Sequence, residues 1–224
     1  MSQAEQADDN IIMSTSFAAF QEKVTFFFDW CINKRVFISA RKSKWMIFGP
    51  LPNILPTLRL GDLIVELVYE FKYVGIWLTS TTPNIFSRNY SVKASKARNS
   101  SNAAFAMKHR IGSLPIKEGL TLYMARVDCY LTSGADISLD VDTRMIEEHL
   151  DTQHTFLRRL LGINSRSMLA GLFTETGLMP IRIRRLLLAL GRLHYLVSLG
   201  ADSSRVVRVA LMDSLDLFRT GHSG

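Results

Sequence analysis

The sequence predicts an α+β fold that is predominantly helical, with a small antiparallel sheet ahead of a helical bundle. Two observations support this prediction. Short segments rich in aromatic and β-branched residues, separated by glycine and proline, are confined to residues 45–78. Apolar residues then recur at helical spacing from Phe86 onward. The change falls near residues 79–83, so we expect one domain over 1–80 and a helical domain over 81–224.

Near the N-terminus, Asp8 and Asp9 form a pair of adjacent carboxylates ahead of a short apolar run. Such a pair on a β-hairpin turn suits magnesium-dependent phosphoryl transfer, because strand side chains alternate and one carboxylate can reach a cation. Two-metal chemistry also requires a carboxylate from another strand, and we expect almost no chain upstream of Asp8 to supply it. The alternative is that the two carboxylates cap a helix beginning at Asn10.

A helix and several strands are predicted next. Aromatic residues recur at helical spacing over 15–34, and residues 45–48 form a short buried strand that Gly49-Pro50 ends. Gly61-Asp62 separates two apolar runs and suits the tight turn of a β-hairpin. Residues 71–78 are predicted as one strand, and the glycine inside it indicates the close approach of another backbone.

The helical half carries amphipathic patterns with recognisable ends. Small and aromatic residues from Phe86 to Ala104 form one stripe that permits tight helix packing. Gly162 is a C-terminal stop and Pro180 suits a first helical turn. Helices are accordingly predicted at 116–131, 142–161, 180–199 and 205–218. On the helix after Pro180, the apolar and basic sides are distinct: Ile183, Leu187, Leu190 and Val197 face one way and Arg182, Arg185 and Arg192 another.

Composition and charge narrow the class of protein. The chain has 224 residues, a formal net charge of +7 and 47% hydrophobic residues, so it can bury a sizeable core. Basic blocks at 34–48, 81–130 and 157–224 alternate with acidic blocks, which favours a surface that faces a polyanion. The alternative is that these charges are solvated helix faces.

The cellular compartment is predicted from what the sequence lacks. Cys31 and Cys129 fit no zinc spacing and lie in apolar periodic segments, so we expect buried thiols in a reducing compartment. No apolar run approaches the ~18 residues of a membrane span, and the polar N-terminus lacks signal-peptide architecture. The expectation is an intracellular protein of the cytoplasm or nucleus, with no membrane partner.

The order of the motifs is more specific than any one of them. Ala7-Asp8-Asp9 precedes an aromatic-rich helix ending Asp29-Trp30-Cys31, then come Lys42–Gly49, a hairpin, Phe71–Leu78 and a long helical tail. This order resembles the palm-to-thumb half of reverse transcriptases from non-LTR (LINE-type) retrotransposons, over nearly all of the chain. The resemblance implies that residues 1–80 are a partial palm and residues 81–224 a thumb and post-thumb region.

The resemblance implies RNA-directed DNA polymerase chemistry, with an RNA template and a DNA primer as partners. Two magnesium ions would clamp the attacking and leaving oxygens. By resemblance, Asp8 is the metal ligand, Asp9 its partner on the turn, and Lys42 a cation that stabilises the leaving pyrophosphate. Tyr73 and Gly75 match the primer-grip strand. Contacts with nucleic acid are expected from Lys72, Tyr73, Gly75, Lys93, Lys96 and Arg98; the alternative is that the aromatic residues are core and the cations are solvated.

Three departures from the family pattern bear on catalysis. Gln6 replaces the aromatic residue that usually precedes the Ala-Asp-Asp motif, residues 1–5 are polar where an apolar strand is expected, and the fingers and the palm strand with the other catalytic Asp are not found. We therefore expect a truncated reverse-transcriptase fragment that does not polymerise in isolation. The alternatives are a non-enzymatic nucleic-acid-binding module and a remnant that self-associates through an exposed apolar palm face.

Overall fold

A computed structural model describes residues 3–6, 9–106, 112–140, 142–198 and 205–219. These residues form a mixed α+β structure that is predominantly helical with small sheets, which confirms the predicted fold class at that level. The chain divides into two compact units, residues 1–88 and residues 89–224. None of the helices in the described ranges is long and apolar enough to cross a bilayer.

The first unit contains short strands arranged in pairs. The strands are β1 (Gln3–Gln6), β2 (Asp9–Ile12), β3 (Lys44–Trp45), β4 (Arg59–Leu60), β5 (Leu63–Ile64), β6 (Glu66–Leu67), β7 (Glu70–Tyr73) and β8 (Ile76–Thr79). β1–β2, β4–β5 and β7–β8 are antiparallel, whereas β3–β6 is parallel. The expected single antiparallel sheet is therefore replaced, among the described strands, by separate two-stranded pairs.

Helix α1 (Phe17–Asn33) organises the core of the first unit. The Ser16 side chain caps it by accepting from the Ala19 backbone N–H at 3.4 Å. The Gln21 side chain donates to the Arg59 carbonyl at 2.8 Å and accepts from the Arg59 N–H at 2.9 Å, which fastens the β4–β5 hairpin to the helix. The buried core comprises Val24, Trp45, Leu58, Leu60 and Val65.

The strand predicted over 45–48 is wrong in extent. Only Lys44 and Trp45 pair with β6, and the Trp45 indole N–H donates to the Val65 carbonyl at 3.2 Å. The pairing with β6 ends at Trp45, and Phe48, three residues later, is half exposed. The predicted Gly61-Asp62 hairpin turn is confirmed by the pairing of β4 with β5.

The second unit is helical. Its helices are α2 (Ser87–Ala106, which begins in the first unit), α3 (Ile116–Leu122), a π-helical turn (Tyr123–Asp128), α4 (Cys129–Thr132), α5 (Thr143–Leu161), α6 (Leu169–Thr176), α7 (Ile181–Ser198) and α8 (Arg205–Arg219). The predicted small-residue stripe of α2 is confirmed, since it is buried from Tyr90 through Ala94, Ala97 and Ser101 to Ala104. This stripe lets α2 approach its neighbours closely.

Both predicted ends of α5 are confirmed. The Asp142 carboxylate accepts from the Arg144 backbone N–H at 3.0 Å, as an N-cap does. Gly162 adopts the left-handed conformation, φ +68°, and ends the helix. Between these ends, α5 buries Phe156 and Leu157 in the core of the second unit.

The π-helical turn corrects the predicted register of 116–131. The extra residue of this turn places Tyr123, rather than Met124, on the buried side with Val127 and Leu131. Ile116, which precedes the turn, is partly exposed as well. Cys129 lies two residues from both Val127 and Leu131, on the other side of the helix, and is exposed, so the prediction that it is a buried thiol is wrong. Cys31 is buried as predicted, and its burial raises the pKa of the thiol.

Candidate nucleic-acid interface

The segment 71–78 is a hairpin, so its prediction as one strand is wrong. β7 and β8 pair antiparallel, with Tyr73 opposite Ile76. Val74 and Gly75 connect them with φ angles of 46° and 84°, the left-handed conformations of a tight hairpin turn. The run of aromatic and β-branched residues is therefore two strands with their turn in the middle.

Gly75 is a turn glycine, and no other backbone among the described residues approaches it closely. A Cβ atom built there would meet no heavy atom of the described residues within 4 Å. The positive φ angle alone accounts for glycine at this position. The predicted contact of Gly75 with nucleic acid stays a prediction, now at an exposed hairpin tip.

The β7–β8 hairpin and the first turn of α2 bring an aromatic ring and two cations together. Lys72 and Trp77 are cross-strand partners, so their side chains share one face. The guanidinium carbon of Arg88 lies 5.8 Å from the centre of the Trp77 ring. Lys72 and Arg88 are exposed and Trp77 is half buried. We call Lys72, Trp77 and Arg88 the hairpin platform.

Glu70 is the acidic neighbour of the hairpin platform, and Tyr73 lies on the other face of the same strand. Arg88 Nε lies 3.4 Å from Glu70 Oε2, and both side chains are about half exposed, at 47% and 44%. Such an exposed pair contributes little free energy, so a phosphate can replace the carboxylate. Tyr73 lies on the face of β7 opposite to Lys72, because adjacent strand residues point to opposite faces. Its side chain is half buried.

The predicted cations of α2 have different surroundings in the second unit. The Lys93 ammonium donates to Ser133 Oγ at 2.8 Å and is half buried. Arg98 donates to Glu148 at 3.0 Å, in a pair whose side chains are both about half exposed. Lys96 is exposed, and no carboxylate of the described residues lies within 4.0 Å of it.

α2 contains no acidic residue along its 20-residue length. Its exposed side presents Lys96 and Arg98 together with the neutral hydrogen-bonding groups of Ser95 and Asn99. We call these four residues the α2 face. Lysine, arginine, serine and asparagine side chains are the usual donors to phosphate oxygens.

The predicted catalytic residues are only partly described. β1 and β2 pair with Gln6 opposite Asp9, whereas Asp8 lies outside the described residues, as does the side chain of Asp9. Lys42 is exposed in a turn after α1, and its backbone N–H donates to the Ser39 carbonyl at 3.0 Å. Within the described residues, no three His, Cys, Asp or Glu side chains are grouped to hold a metal ion. The magnesium site stays an expectation from the resemblance.

A buried polar cluster in the second unit was not predicted from the sequence. Arg185 is 2% exposed, and its Nε and Nη2 donate to the Asp140 carboxylate at 2.8–3.0 Å. Its Nη1 donates to the Leu131 carbonyl at 2.7 Å. The Tyr90 hydroxyl donates to Asp140 at 2.7 Å, and Arg185 lies over the Tyr90 ring. This cluster ties α2, α4 and α7 to the loop before α5.

Burial shifts two further ionisable groups beside this cluster. His149 is 1% exposed, its ring contacts Tyr90 edge to face, and burial lowers its pKa to about 4, with the Arg185 charge acting in the same direction. Asp128 pairs with Arg184 at 3.1 Å, yet burial raises the pKa of its carboxyl. Both side chains lie among the buried residues of the helical core of the second unit.

Comparison with protein-family models, curated proteins and solved structures finds no match to this chain.

Proposed function

We propose that this chain is a palm-and-thumb segment related to non-LTR reverse transcriptases, and that it binds nucleic acid through the hairpin platform. The observation that carries the proposal is that Lys72, across the hairpin, and Arg88, from α2, both neighbour Trp77. An aromatic ring gives a base a stacking surface worth about 1–3 kcal/mol. The two cations can hold the backbone phosphates on either side of that base.

The α2 face supports the same function independently in the second unit. Lys96 is an exposed cation, and Arg98 can exchange its exposed partner Glu148 for a phosphate at little cost. Because α2 carries no acidic residue, its exposed side does not repel a polyanion. Contacts of this kind position a protein on a nucleic-acid backbone without reading its sequence.

We also propose that the chain does not polymerise by itself. By resemblance, Asp8 would be one magnesium ligand with Asp9 beside it, and Lys42 would stabilise the leaving pyrophosphate. Two-metal chemistry needs more than one carboxylate-bearing strand, and the described residues group no further carboxylates into such a site. Primer extension on an RNA template with magnesium is expected to give no product above background, and template-directed incorporation would contradict this.

The binding proposal is tested by fluorescence anisotropy with a labelled RNA–DNA hybrid. Affinity is expected to fall steeply, by orders of magnitude, between about 50 and 200 mM salt, because bound phosphates release counterions. Trp77→Ala is expected to weaken binding by about 1–3 kcal/mol. Trp30→Ala, at a half-exposed tryptophan on α1, is the control and should leave binding unchanged.

Two results would contradict the binding proposal. One is the absence of binding at low salt by a chain that circular dichroism shows to be folded. The other is an equal loss of affinity in the Trp77 and Trp30 variants, because the platform would then have no special part in binding.

A further inference from the structure

The two arginines of the proposed nucleic-acid interface each have a glutamate of this chain as a partner. On the hairpin platform, Arg88 Nε lies 3.4 Å from Glu70 Oε2. On the α2 face, Arg98 Nη2 donates to Glu148 Oε2 at 3.0 Å. The same arrangement therefore occurs in both units, with the glutamate supplied by strand β7 in the first and by helix α5 in the second.

A glutamate paired with an arginine occupies the N–H groups that a phosphate would use. Carboxylate and phosphate oxygens both accept hydrogen bonds from the planar guanidinium, and each can do so with two oxygens at once. The Arg98 N–H that donates to Glu148 is directed at that carboxylate. A phosphate has to displace the carboxylate before it can bind at the same place, so these glutamates compete with the ligand.

Both glutamates can be displaced because both ion pairs are open to solvent. The side chains of Glu70 and Glu148 are 44% and 53% exposed, and an ion pair of this kind contributes little to stability. The pair of Arg184 with Asp128 is different, since the Asp128 side chain is 3% exposed. A ligand can reach the first two carboxylates at the surface, whereas Asp128 belongs to the interior.

Each arginine also has a lysine near it on the same proposed surface. Lys72 accompanies Arg88 on the hairpin platform, and Lys96 accompanies Arg98 on the α2 face. Both lysines are exposed, and no carboxylate of the described residues lies within 4.0 Å of either ammonium. The lysines can therefore bind a phosphate directly, whereas the arginines bind one only in exchange for a carboxylate.

We propose that Glu70 and Glu148 are autoinhibitory residues of the nucleic-acid interface: each holds its arginine until a backbone phosphate displaces it. Autoinhibition presupposes the nucleic-acid binding proposed above and names the residues that limit it. A single anion gains one contact with the arginine for each one that it breaks. A polymer also contacts the neighbouring lysine, so the carboxylates favour a polyanion over an isolated anion.

Fluorescence anisotropy with the labelled RNA–DNA hybrid tests the role of Glu148 at about 100 mM salt, where the Debye length is about 10 Å. Glu148→Gln keeps the size of the side chain and removes its charge, so it is expected to raise the affinity of the full chain about two- to fivefold. The matched control is Glu147→Gln, which makes the same change of net charge at the preceding exposed position of α5. It should change the affinity less than about 1.5-fold, because exposed charges outside the contact are screened.

A second pair of variants tests the first unit. Glu70→Gln is expected to raise the affinity by the same two- to fivefold or so, because Arg88 is then available without an exchange. The control is Glu66→Gln on β6, whose carboxylate is also exposed and paired, but with Lys44. It should leave the affinity unchanged, since Lys44 is not part of the hairpin platform.

A double-mutant cycle shows whether Glu148 acts through Arg98. In an Arg98→Ala background, Glu148→Gln is expected to raise the affinity less than about 1.5-fold, because there is no arginine left to release. A gain that stays at its full size in this background would mean that the lost charge acts by itself, and would contradict the autoinhibition. Circular dichroism verifies that each variant is folded.

The outcomes separate autoinhibition from nucleic-acid binding itself. If Trp77→Ala weakens binding but Glu70→Gln and Glu148→Gln bind like the wild-type chain, the interface stands and the autoinhibition is wrong. Equal gains in Glu147→Gln and Glu148→Gln would also overturn it. If the folded wild-type chain and both glutamine variants fail to bind the hybrid at low salt, the proposed function is wrong and the autoinhibition with it.

Discussion

Replacing Arg185 with Met is expected to destabilise the second unit by about 3–5 kcal/mol, the usual loss when a buried ion pair keeps only one partner. Met retains the apolar stem but removes every hydrogen bond that Arg185 donates to Asp140 and to the Leu131 carbonyl. The Asp140 carboxylate would keep only the hydrogen bond from the Tyr90 hydroxyl among those described. Urea unfolding followed by circular dichroism measures the change.

Arg182→Met is the control for this prediction, because Arg182 lies three residues earlier on the same helix and is exposed. The control is expected to change the free energy of unfolding by no more than about 0.5 kcal/mol. Asp140→Asn should destabilise in the same direction as Arg185→Met, since it removes the opposite charge. A loss below about 1 kcal/mol for Arg185→Met would show that the buried cluster does not hold these helices.

The second unit is expected to lose stability as the pH falls from about 6.5 towards 4, because His149 is buried in its neutral form. Its native pKa is lowered to about 4 from the ordinary 6.5, first by burial and then by the Arg185 charge. Between these values the unfolded chain binds a proton that the native chain does not, so unfolding becomes easier. The full effect of this histidine is about 3 kcal/mol, and it levels off below pH 4.

Unfolding free energies measured from pH 7 to 4.5 test this prediction. His149→Gln should flatten the pH dependence in that window, whatever its effect on stability at pH 7. His194→Gln, at an exposed histidine of α7, should leave the dependence as it is. The pKa of His154 is also lowered by burial and adds a slope of the same sign, whereas the raised pKa of Asp128 adds one of the opposite sign. The difference between the wild-type and His149→Gln slopes is therefore the quantity assigned to His149. An unchanged slope in His149→Gln would contradict the assignment.

The helices were predictable because their patterns are local. The buried stripe of α2 follows from small residues at helical spacing, and the ends of α5 follow from Asp142 and Gly162. The register after Ile116 was not predictable, because nothing in the spacing of apolar residues marks the π-helical turn that buries Tyr123 instead of Met124. The parallel pairing of β3 with β6 joins residues 22 positions apart, which propensity does not encode.

The candidate interface was predicted in part. Lys72 and Lys96 are exposed cations, as a nucleic-acid surface requires, but the platform itself depends on the turn at Val74-Gly75 that pairs Lys72 with Trp77. The sequence placed Arg185 with Arg182 and Arg192 on one basic side of a helix. Only the fold distinguishes Arg185, because its partner Asp140 lies 45 residues away in the chain.

The salt dependence of nucleic-acid binding by the Lys72→Ala variant tests the hairpin platform most directly. For the RNA–DNA hybrid, a lost phosphate contact should reduce the slope of log affinity against log salt by about one. Lys34→Ala removes an exposed lysine at the end of α1 and should leave the slope unchanged. A smaller slope in the Lys72 variant alone is the predicted result. Equal slopes in the wild-type chain and both variants would contradict nucleic-acid binding through the hairpin platform.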